Sequence, residues 1–259
     1  MKKELIPAVT MLAMVAITSL PPRIGTALTI HERFEKLNEY YAQHFTERPT
    51  AFHDLSFLQL DVMNDYFPEG IRIWFDDATT IAIDDSVTIA NDPACKPLVS
   101  AALNLSDSNR YTIGFSAGPS VDPHFIIYAE TEIALVKIGE ISALELFIPG
   151  DGFIYSRGHT NSMFDKWRKF SVTNDELVEI AQPFYYVGMK THTITETFIR
   201  SKRFSDEGAI TIIPEGTDVT VLLNDGDWYL LLTDTGMTGW LKISGGYDSP
   251  LMHIFFRGD

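Results

Sequence analysis

Residues 210–243, ITIIPEGTDVTVLLNDGDWYLLLTDTGMTGWLKI, decide how the C-terminal quarter of the chain reads. Val219, Val221 and Leu223 alternate with Asp218, Thr220 and Leu222, the period of two that turns one face of a strand toward a core. Asn224-Asp225-Gly226 predicts a tight turn into Trp228-Tyr229-Leu230, because these residues tolerate the positive φ such turns need. Thr235-Gly236 predicts a second turn before Gly239-Trp240-Leu241. Three short strands with two tight turns bury too little by themselves. A closed barrel is therefore expected, with a first strand supplied from about Thr193 to Arg200.

The order of the punctuating residues carries more information than any one of them. Pro214-Glu215-Gly216 precedes a valine strand, Trp228-Tyr229 opens the next strand, and Gly239-Trp240 leads into the last. In this order residues 193–247 resemble bacterial SH3 (SH3b) domains, which carry a proline-lysine/glutamate-glycine turn, a tryptophan-tyrosine pair and a glycine-tryptophan step. The resemblance covers roughly a fifth of the chain. It implies a small binding module, often for cell-wall peptide, on an exported protein, with Trp228, Tyr229 and Trp240 lining the ligand groove. One loop departs from the pattern. Where the family usually has arginine, a small residue, glycine and proline, Arg200-Ser201 leads here into Lys202-Arg203-Phe204. That loop borders the family's usual groove. A second reading stays open, in which the tryptophans serve the core and the barrel only packs against its neighbour.

At the other end, Lys2 and Lys3 precede an apolar run from Leu5 to Leu20, followed by Pro21-Pro22 and the small residues Gly25-Thr26-Ala27. This is the layout of a secretory signal peptide, with cleavage expected after Ala27 and an exported, periplasmic or extracellular product. The run is short for a spanning helix of about 20 residues, so no integral membrane segment is expected after cleavage. No Cys follows the run to take a lipid anchor, and Cys95, the only one, allows no intramolecular disulfide. Removal of residues 1–27 takes away Lys2, Lys3, Arg23 and Glu4, shifting the formal charge from −15 to −17. So acidic a protein is a poor partner for phosphate backbones or anionic lipid, which need clustered Lys and Arg. Nucleic acid is not an expected partner.

Between these ends, residues 28–190 read as a β-rich domain with an N-terminal helix. Thr29 and Glu32 have capping-box spacing, and Ile30, Phe34, Leu37, Tyr41 and Phe45 recur at steps of three or four, so a helix is expected over 30–45. Ala51 to Phe67 is apolar at both helical and strand spacing and is read as helix. From Ile71 onward short β-branched and aromatic runs alternate with Asp, Gly, Asn and Pro. Strands are expected at 71–75, 79–83, 111–115, 125–128, 133–138, 143–148, 153–155, 169–172, 177–180 and 184–187, as an antiparallel sheet or barrel. Pro97 suggests a short helix over 97–105. Residues 191–247 then form the SH3b-like barrel, and 248–259 a C-terminal strand or tail, whose apolar run Leu251–Phe256 is expected to return to the first domain.

SH3b modules accompany cell-wall hydrolases, so any catalytic residues are expected in residues 46–190. Cys95 lacks the helix start and surrounding motif that would stabilise a nucleophilic thiolate. Ser156-Arg157-Gly158-His159-Thr160-Asn161 is the densest polar cluster between strands; Arg157, His159 and Asn161 could bind an anion there, with His159 as a base, or simply make a hydrogen-bonded hairpin loop. Asp76-Asp77 and Asp84-Asp85 read as turn formers rather than a glycosidase pair or calcium site. No histidine spacing suits a metal, and Gly150-Asp151-Gly152 reads as a β-turn, not a phosphate loop. No catalytic residue, metal or cofactor is assigned. The leading expectation is an exported binding or scaffold protein recognising cell-wall (peptidoglycan) peptide or another envelope protein. A cell-wall hydrolase with an unrecognised site and a purely structural envelope protein are the alternatives.

Overall fold

The computed structural model describes residues 49–60, 71–84, 86–117, 123–158, 166–204, 208–244, 249–252 and 254. Its described part is mainly β, with three sheets and no α-helix. The first sheet runs, in spatial order, β1 (Ser56–Leu60), β2 (Ile71–Phe75), β8 (Glu145–Ile148), β9 (Ile154–Arg157), β10 (Arg168–Thr173) and β11 (Glu176–Glu179). Its neighbours are antiparallel except β2 and β8, which are parallel. A parallel pair needs a long crossover. Here the crossover is the whole second sheet, an antiparallel meander of β3 (Thr80–Ala82), β4 (Lys96–Ala101), β5 (Tyr111–Ser116), β6 (His124–Glu130) and β7 (Leu135–Ser142).

The expected strands fall on this plan because several of them are covered on both faces. Ile113, Phe115, Leu146 and Ile148 belong to the main core. Ile126 and Tyr128 of β6 pack with Ile89 and Cys95, while Trp74 and Phe147 pack with Phe52 on the other side of the first sheet. Strands buried on both faces read as continuous apolar runs rather than alternating ones. The turn from β10 to β11 places Asn174 and Asp175 at φ 53° and 59°, the two left-handed positions of a tight hairpin.

Two expected helices are strands instead. Within 51–67 a single 3-10 turn, Thr50–Phe52, is followed by β1, whose Leu58 sits opposite Ile73 of β2; residues 61–67 lie outside the described set. A segment apolar at both spacings takes the conformation that an available sheet edge selects. The helix expected at Pro97–Leu105 is replaced by β4, paired with β3 on one side and β5 on the other. Pro97 is tolerated there because the register with β5 shifts between Pro97 and Val99, at a bulge where a missing N–H costs little. The helix expected over 30–45 lies outside the described residues.

The third sheet is ordered β12 (Tyr185–His192), β15 (Asp218–Asp225), β16 (Trp228–Thr233), β17 (Thr238–Lys242), β13 (Thr197–Arg200) and β14 (Ala209–Ile213). β12 begins before the boundary expected near 190 and pairs directly with β15. Turns fall where the sequence places them: Asp225 is opposite Trp228 across Gly226-Asp227, and Gly226, Gly236 and Gly216 all have positive φ. Among the described residues the expected closed barrel is not formed, since β12 and β14 are the two ends of an open order. The sheet is nevertheless bent by register shifts in β12 and β15, and Val187, Ile199, Ile213, Val221, Tyr229, Leu231 and Leu241 from all six strands share one core. Bulges add the local twist and bend that such curling needs. The C-terminal run stays with this sheet where it is described: Leu251 bridges Thr193, and the Met252 N–H donates to the His192 carbonyl.

Candidate functional site

Of the three aromatics expected to line the groove, two are core residues. Trp228 is 5% exposed and Tyr229 0%, both at the start of β16. The two lie on opposite faces of the strand: Tyr229 joins Leu231 in the main core, and Trp228 is covered on the other side by Phe204. Burial pushes the Tyr229 hydroxyl above its ordinary pKa, and that oxygen has no hydrogen-bond partner. Trp240, in β17, is half-buried and keeps an accessible face.

That face is covered in part by the loop that departs from the SH3b pattern. The guanidinium of Arg203 lies 5.1 Å from the Trp240 ring centre, 4.8 Å from Phe184 and 5.3 Å from Phe204. Phe184 and Trp240 are themselves 5.8 Å apart, and Phe204 meets Trp228 edge-on at 5.8 Å. Asp225, closing β15, makes an ion pair with Arg203. Three aromatic rings and a carboxylate around one cation form a cage of the kind that holds guanidinium or ammonium groups. Arg203 remains 28% exposed and Asp225 32%, so the cage opens to solvent. Phe204 has φ 57° and is 77% exposed, an uncommon conformation and environment for a bulky side chain.

The polar cluster around Arg157 has a different character. Arg157 Nε lies 3.3 Å from Glu145 Oε2, a Coulombic pairing rather than a straight hydrogen bond. Glu145, 1% exposed, also accepts from Trp74 Nε1 at 3.1 Å and has Arg72 at 4.0 Å. The Arg157 guanidinium stacks 5.4 Å from the Trp167 ring. These contacts give Arg157 a place in the packing of the first sheet. His159 and Asn161 lie outside the described residues.

Cys95 is buried, and burial raises its pKa, with Tyr128 as its hydrogen-bonding neighbour. It precedes a strand rather than a helix, so no dipole stabilises a thiolate. Asp76 and Asp84 accept from the Ala78 and Ser86 backbone N–H groups at 2.8 Å, the geometry of turn formers, and the Ser86 hydrogen bonds hold Asp84 below its usual range. Asp151 accepts from the Phe153 N–H and the Tyr155 hydroxyl, as a turn residue does. Among the described residues no group of three or more His, Cys, Asp or Glu could hold a metal, and no helix is long and apolar enough to cross a membrane.

Trp240 and the Lys202–Phe204 loop stand out in the sequence, whereas Phe184 and Asp225, which the structure brings beside them, do not. In sequence Asp225 reads only as a turn residue. Phe184 is distant in sequence from the other members, and nothing local to it signals the contact. Comparison with protein-family models, curated proteins and solved structures finds no match for the chain.

Proposed function

We propose that this chain is an exported, non-enzymatic binding protein whose C-terminal module is of the bacterial SH3 type and takes an extended cell-wall peptide against Trp240. The observation that carries the reading is the aromatic cage of Phe184, Trp240 and Phe204 around Arg203, with Asp225 at its rim and both charged groups reached by solvent, on the strand and loop that the resemblance sets beside the groove. Aromatic faces supply sequence-tolerant contact area for a peptide, and the carboxylate adds selectivity for charge. The signal-peptide layout of residues 1–27 supports export. Among the described residues, Cys95 is buried ahead of a strand and Arg157 is held by Glu145, so neither offers a ready catalytic group.

The test is co-sedimentation of the purified protein with insoluble peptidoglycan. Retention of the parent, and its loss in Trp240→Ala with an unchanged unfolding transition, supports the reading. Equal retention of both proteins, or none by the parent, removes it. Release of soluble wall fragments during the same incubation would replace binding with hydrolysis as the function.

A further inference from the structure

We infer that Arg203 is a built-in occupant of the cage, so that the site accepts a cationic side chain of a peptide and does so in competition with the chain's own guanidinium. This rests on the binding reading above and specifies both the group recognised and the step that admits it. Arg203 makes every contact a cationic ligand would make there: faces of Phe184, Phe204 and Trp240 within 5.3 Å, and the Asp225 carboxylate. A ring quadrupole attracts a cation more strongly than a neutral amide, so three rings and a carboxylate favour a charged group. The formal charge of −15 adds long-range attraction in the same sense.

The occupant is held by a loop that carries strain. Phe204, next to Arg203, keeps a left-handed φ of 57° although its side chain has a Cβ, and such conformations persist when surrounding contacts over-determine them. Here those contacts are the Trp228 edge and the Arg203 ion pair. When a competing cation displaces Arg203, Asp225 and the rings change partner without losing one, and the loop is free to relax. The apparent affinity of a ligand falls by the fraction of molecules in which its site is vacant. An occupant present in nine molecules of ten therefore weakens an external ligand about tenfold.

The experiment titrates the parent, Arg203→Ala and Arg203→Gln with the peptides Ac-Gly-Arg-Gly-NH2, Ac-Gly-Lys-Gly-NH2 and Ac-Gly-Gln-Gly-NH2, followed by tryptophan fluorescence. Both variants should bind a cationic peptide at least about tenfold more tightly than the parent, should not bind the glutamine peptide, and should lose the gain when Asp225→Asn is added. Equal affinity in parent and variants, or equal binding of the glutamine peptide, overturns the inference. Peptidoglycan retention measured in parallel separates the two claims. If Trp240→Ala loses retention while Arg203→Ala gains no peptide affinity, the wall-binding module stands and the built-in occupant is rejected. If Arg203→Ala gains cationic affinity and nothing is retained on wall, the cage stands and its peptide comes from another source.

Discussion

Replacing Glu145 by Gln is expected to be among the most damaging isosteric changes in the first sheet. The substitution keeps volume and retains an oxygen for the Trp74 indole, now 3.1 Å from Oε1, but removes the charge facing Arg157 at 3.3 Å and Arg72 at 4.0 Å. Breaking a buried ion pair by removing one partner costs about 3–5 kcal/mol, because the remaining charge stays buried without compensation. The lower end applies, since Arg72 is reached by solvent and Arg157 keeps its stacking on Trp167. With a urea m-value of about 3 kcal/mol/M, a loss of about 3 kcal/mol lowers the midpoint by about 1 M. Urea unfolding followed by circular dichroism measures it. A paired Glu145→Met, Arg157→Met exchange should recover much of the loss, because apolar replacement of a whole buried pair is often neutral. A cost below about 1 kcal/mol for Glu145→Gln would refute the buried-pair account. It would also return Arg157 to the pool of candidate ligand residues.

Tyr229→Phe should leave stability unchanged or raise it by about 1 kcal/mol, since it deletes a buried hydroxyl without a partner; a lowered melting temperature would show that the hydroxyl is satisfied after all. Burial holds the Tyr229 pKa above its unfolded value, so the stability linked to its neutral form is complete below about pH 10 and is lost as pH rises beyond that. Urea midpoints between about pH 9 and 11 should therefore fall less steeply in Tyr229→Phe than in the parent, and identical slopes would count against it. Cys95, buried with a raised pKa, should resist a thiol reagent at neutral pH in the native protein and react fully in denaturant. Rapid native labelling would mean an exposed, activated thiol.

What could be read from the sequence depended on how local each cause was. Ile71–Phe75 and the Asp225–Trp228 hairpin were legible because pattern and turn chemistry lie within a few residues. Lys96–Ala101 was not, because Pro97 argues for a helix start while the pairing with β3 and β5 that overrides it comes from distant strands. The open order of the third sheet was equally hidden, since β12 enters from a segment that reads as part of the preceding domain. At the site, Trp240 was marked by its Gly-Trp step and Arg203 by the altered loop. The family resemblance puts Tyr229 at the groove, whereas strand alternation sets its ring beside Leu231 in the core. Phe184 joins the cage through packing alone.

The central claim, that ligand is taken at Trp240, is tested most directly by the four tryptophan indole signals in a 15N-labelled protein. Trp74 and Trp167 report on the first sheet, Trp228 on the buried side of the loop, and Trp240 on the cage. Titration with solubilised peptidoglycan fragments should move the Trp240 resonance in a saturable way, with a smaller response at Trp228 and none at Trp74 or Trp167. A stationary Trp240 signal, or a response confined to Trp74 and Trp167, would contradict the account.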